Sequence, residues 1–146
     1  MPHLRICLFF LGSLVATAQS TREYTFDDGT GLKTWSVENS TAASYFQIKE
    51  QEIILHPKGT LPNAKNRRVL TPRVHLVMDG SLSPEVIAKA LGASSFKVPH
   101  YSKNDLILTY PLASDSLDLL PSARALPGII SARPLLARRR FPKLIP

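Results

Sequence analysis

The chain has 146 residues, room for one domain with tails. Its formal net charge of +7 is concentrated in two arginine groups, Arg67, Arg68 and Arg73, and Arg133, Arg138, Arg139 and Arg140 with Lys143. Asp79, Glu85, Asp105, Asp115 and Asp118 offset the lysines between them, which argues against a broad basic surface. Cys7 is the only cysteine and lies near the start, so disulfides, thiolate metal sites and a cysteine nucleophile are excluded from everything after it.

Residues 1–18 have the three parts of an export signal: Arg5, the apolar run Ile6 to Val15, and the small residues Ala16-Thr17-Ala18. The run is shorter than the roughly 20 residues needed to cross a bilayer. Cleavage after Ala18 is expected, giving a secreted chain with no membrane attachment.

Residues 21–55 predict a β-hairpin region. Tyr24 and Phe26 alternate on one arm, Trp35 and Val37 on the other, and Asp28, Gly29 and Gly31 supply the turn. Asp27-Asp28-Gly29 resembles part of a calcium loop, but the remaining oxygen ligands are missing, so no metal is expected there. Trp35, Tyr45 and Phe46 are assigned to packing of this element rather than to a carbohydrate or partner surface. Tyr45 to Ile48 and Glu52 to Leu55 are further strand segments, and Asn39-Ser40-Thr41 has the glycosylation pattern. Residues 56–72 carry Pro57, Pro62, Pro72 and Gly59 without apolar periodicity, and read as a linker.

Residues 73–134 are the best-organised part. Val74, Leu76 and Met78 alternate on a strand ended by Asp79-Gly80. Ser83 suits an N-cap, Pro84 the first helical position and Glu85 the positive helix end. Val86, Ile87, Ala90 and Leu91 follow at helical spacing, and Gly92 can end the helix. Ser95 to Val98 and Leu106 to Tyr110 predict two strands. A helix within Asp115 to Leu126 should be short or broken near Pro121. Ile129 to Ala132 is the last strand. The order strand, helix, strand, strand, helix, strand predicts an α+β fold: a ferredoxin-like βαββαβ antiparallel sheet with two helices on one face.

Residues 135–146 form a basic tail, and the whole end reads Ser131-Ala-Arg-Pro-Leu-Leu-Ala-Arg-Arg-Arg-Phe-Pro-Lys-Leu-Ile-Pro146. Val74 to Gly80, Leu91-Gly-Ala93 leading into Val98-Pro-His-Tyr101, and Leu126-Pro-Gly-Ile-Ile-Ser-Ala-Arg-Pro134 resemble, in order, the pro-regions of subtilisin-like serine proteases of the kexin and proprotein-convertase branch. The resemblance covers about residues 73–146. It implies an intramolecular chaperone and inhibitor whose sheet packs on a subtilisin-like catalytic domain, in cis or in trans, and whose extended tail lies in the substrate cleft. The catalytic domain would be expected after Pro146, making the chain a truncated protease precursor. Cleavage after Arg140 would put Arg140, Arg139 and Ala137 in the first, second and fourth pockets, with Arg138 between them and Phe141 beyond the cut. Ala137 departs from the arginine that strict convertases often want there. Some relatives use a histidine as a pH switch, and His75 and His100 are the residues available for it.

No serine nucleophile turn or partnered His is found, so neither catalysis nor a cofactor is expected from this chain. RNA binding through the sheet is disfavoured, because Val74 to Met78 and Leu106 to Tyr110 are mainly aliphatic. The remaining rivals are a free-standing secreted protease inhibitor and an unrelated secreted β-rich adaptor acting through Tyr24 to Leu55.

Overall fold

A computed structural model describes residues 22–38 and 52–138. The expected export signal, the Asn39-Ser40-Thr41 pattern, the Tyr45 to Ile48 strand, and Arg139, Arg140 and Phe141 lie outside the described residues.

Strands β1 (Glu23–Asp27) and β2 (Leu32–Val37) form the expected hairpin, with Tyr24 opposite Trp35 and Phe26 opposite Lys33. The turn is built by side chains closing on backbone. Asp27 Oδ1 accepts the N–H groups of Gly29 at 2.7 Å and Gly31 at 3.1 Å, and Asp28 Oδ1 accepts that of Thr30 at 2.9 Å. Gly29 has φ +94° and Gly31 has φ +125°, where a side chain would be strained. Phe26 and Trp35 stack with centroids 5.9 Å apart, and both are buried.

Strand β3 (Ile54–Pro57) joins β2 to β4 (Arg68–Met78). The segment 56–72 is therefore partly strand, and β4 begins at Arg68. Proline composition misleads here for a local reason. β4 and β7 (Ile129–Ala137) keep register at Leu70–Leu136 and again at Val74–Pro134, so Thr71, Pro72 and Arg73 face Leu135 alone. In that bulge Pro72 owes no ladder N–H. Its carbonyl accepts the Tyr110 N–H at 2.8 Å, and the Thr71 hydroxyl donates to the Leu135 carbonyl at 2.6 Å. The same segment carries a buried ion pair, in which Arg67 Nε donates to Glu38 Oε1 at 2.7 Å.

Helix α1 (Pro84–Ala90) starts as predicted, with the Ser83 hydroxyl accepting the Val86 N–H at 3.3 Å. Strands β5 (Ser95–Lys97) and β6 (Asp105–Thr109) follow. The second helical stretch breaks into α2 (Asp115–Asp118) and α3 (Leu120–Ala125). Pro121 sits in the first turn of α3, where its missing N–H costs nothing.

The class is α+β and the sheet is antiparallel, with seven strands in place of the four expected. β4 is its axis. β7 runs along one edge of β4, while β3 and β6 share the other. The order across the second half is β7-β4-β6-β5, and β1-β2-β3 extend the sheet from the start of β4. One core results. Val74, Leu76 and Met78 of β4 and Leu106 and Leu108 of β6 pack with Ile87, Leu117, Leu120 and Ala123 of the helices, and Phe26, Trp35, Leu55 and Leu70 join them. The hairpin region is thus part of the same core, because its apolar face is too small to be stable alone.

Candidate functional site

The alternation that buries Val74 and Leu76 turns His75 to the opposite face of the sheet. The register places Arg133 of β7 directly across one edge of His75 and Ile107 of β6 across the other. Asp105, two pairs further along β6 and on the same face, reaches it diagonally. His75 Nε2 lies 3.0 Å from Asp105 Oδ1, and Arg133 Nε donates to His75 Nδ1 at 3.3 Å. An arginine Nε–H can only donate, so Nδ1 is the acceptor and the ring proton sits on Nε2, pointing at Asp105. Three strands are tied by one polar row. The His75 and Asp105 side chains are 12% and 18% exposed, so the row is shielded but accessible. A doubly protonated His75 would set an Nδ1–H against the Arg133 Nε–H and break the row at that end.

The Arg133 guanidinium also reaches the hairpin turn. A Cβ on Gly29 would stand 2.5 Å from Arg133 Nη1, so the turn approaches this side chain as closely as only glycine allows.

Asp28 shows how fully the turn occupies its acids. Burial works to raise its pKa, but the Thr30 hydroxyl and amide and the Lys33 ammonium outweigh it and hold the carboxyl below its ordinary value. Asp27 and Asp28 serve the turn, as the hairpin reading expected. Among the described residues, no group of three or more His, Cys, Asp or Glu stands together as metal ligands.

The other site residues are placed apart. His100 is exposed in the turn after β5, edge-on to the Tyr101 ring with centroids 5.7 Å apart. Ala137 is the last residue of β7 and pairs with Val69, so the first three residues of the expected tail belong to the sheet. Arg138 follows, exposed. Sequence reasoning counted Asp105 among the acids that offset the lysines, and Arg133 in a basic cluster. It missed both as partners of His75, because the contact depends on which strands pair. Odd-residue alternation on the strand containing His75 was the only available signal.

The chain matches no protein-family model, no curated protein and no solved structure. The likeness to protease pro-regions rests on the quoted residues alone.

Proposed function

We propose that this chain is the pro-region of a secreted subtilisin-like serine protease of the kexin-like branch, acting as chaperone and inhibitor of that enzyme. In this reading β4, α1, β5, β6, α2–α3 and β7 are a ferredoxin-like unit. The face bearing His75, Asp105 and Arg133 packs on the protease, and the chain after β7 enters the substrate cleft. The observation that carries the reading is the end of β7: pairing with β4 stops at Ala137, and the arginine run begins at the next residue.

An extended segment adds to a cleft edge through its backbone, while its side chains select pockets. If Arg140 fills the first pocket, Ala137 fills the fourth, so docking must open the last β4–β7 pair, Val69 with Ala137. Within this reading His75 lies in the polar row on the docking face, tied to Asp105 and Arg133, whereas His100 stands apart from it.

Limited digestion with a kexin-type protease tests the processing site. The sequence holds a second dibasic pair, Arg67-Arg68. Arg67 is 4% exposed and Arg68 is paired with Leu55, so a cut there requires local unfolding. Mass spectrometry should find cleavage after Arg140 and none after Arg68. Cleavage first at Arg68, or none at the terminal run, would count against the reading.

A further inference from the structure

A cleft of about 260 Å³ lies between the β1–β2 turn and β7. Asp28 and Thr30 line it from the turn, Arg68 from the start of β4, and Arg133 and Arg138 from β7. Three guanidinium groups therefore meet one carboxylate, and that carboxylate is already engaged. Asp28 Oδ1 accepts the Thr30 hydroxyl at 2.6 Å, and Oδ2 accepts Lys33 Nζ at 3.2 Å. Among the described residues none of the three arginines forms an ion pair.

Two of the guanidinium groups are nevertheless held in place. Arg68 Nη1 donates to the carbonyls of Lys65 and Arg67, both at 2.8 Å. Arg133 is anchored through Nε on His75. Among the described residues, Nε and Nη2 of Arg68 and both Nη groups of Arg133 have no protein acceptor. Burial, and after it the neighbouring Arg138, pushes the Arg68 pKa below its ordinary value against the pull of Asp28. Three like charges lining one cleft, with a single and already engaged carboxylate among them, favour an anion.

We propose that this cleft binds a tetrahedral oxyanion, a phosphate or sulfate group, with Arg68 and Arg133 as its principal donors and Arg138 completing the charge. A carboxylate offers two oxygens in one plane and suits a single arginine fork. Guanidinium groups from two separate strands suit an anion with oxygens in several directions. The cleft is wider than one such group, so it also admits part of a carrier. The proposal does not depend on the protease reading.

The test is calorimetric titration of the full chain with sodium phosphate, sodium sulfate and a sulfated disaccharide, at ionic strength matched with sodium chloride, since salt screens exposed charge. Wild type should bind one anion per chain saturably. R68Q and R138Q should each weaken binding about tenfold, the loss of one charge-assisted contact. K89Q, on α1, should leave it unchanged. Tighter binding of the disaccharide than of inorganic sulfate would assign the group to a sugar carrier, and equal binding would assign it to the free ion. If R68Q unfolds through loss of its carbonyl bonds, R138Q decides, because Arg138 is exposed and, among the described residues, forms no hydrogen bond. Absence of saturable binding to wild type, or equal affinity in R138Q, overturns the proposal.

Discussion

Gly29→Ala carries two separable costs. At φ +94° an alanine is in left-handed backbone, which costs about 1–2 kcal/mol. Its Cβ also falls 2.5 Å from Arg133 Nη1. The end of a free arginine would swing aside cheaply. This one is anchored on His75 Nδ1 at 3.3 Å, and His75 is anchored on Asp105 at 3.0 Å. Moving the guanidinium therefore sacrifices a hydrogen bond, about 0.5–1.5 kcal/mol. G29A should lose about 1.5–3.5 kcal/mol in all, the sum of the two. In an R133M background only the backbone cost remains, so the double-mutant cycle should show a coupling of about 1 kcal/mol. Urea unfolding of the full chain followed by circular dichroism measures it, as a midpoint difference of about 0.3–1 M for a slope of 1–3 kcal/mol/M. An equal cost of G29A in both backgrounds would refute the anchored arginine, and with it the polar row as a rigid link between turn and sheet.

Other outcomes follow from single groups. R67M should destabilise by about 3–5 kcal/mol in the same assay, because it leaves the Glu38 carboxylate, 3% exposed, without its closest cation. Tyr110 donates to the Leu91 carbonyl at 2.8 Å, and burial, with a smaller contribution from Asp115, pushes its pKa up to about 12. The folded state thus keeps a proton that the unfolded state releases near pH 10, so stability should fall between about pH 10 and 12 and Y110F should lose this fall. Asp28 is shifted the other way. Its contribution is present above the ordinary carboxylate range and is lost as pH falls from about 4. D28N should flatten that part of the acid unfolding curve.

What was legible in the sequence was what depends on neighbours along the chain. The hairpin followed from Phe26 and Trp35 around an Asp-Gly turn, α1 from Ser83-Pro84-Glu85, and the break at Pro121 from the missing N–H. What was not legible depends on pairing. Prolines in 56–72 suggested a linker, yet Pro72 lies in a strand because the bulge opposite Leu135 frees it from the ladder. The same local reading ended the last strand near Ala132, whereas pairing with Val69 and Leu70 carries β7 to Ala137. His75 was visible as an odd-numbered strand residue, but its partners Arg133 and Asp105 are 58 and 30 residues away in sequence. No periodicity connects residues that far apart.

The most direct test of the central claim is an inhibition titration. The segment from Thr21 to Arg140 would be added to a panel of subtilisin-like proteases, including a kexin-type enzyme, and residual activity read against concentration. The account predicts tight inhibition that is abolished in the R139A/R140A variant while the circular dichroism spectrum is unchanged. No inhibition across the panel by a chain that is folded by circular dichroism would contradict it.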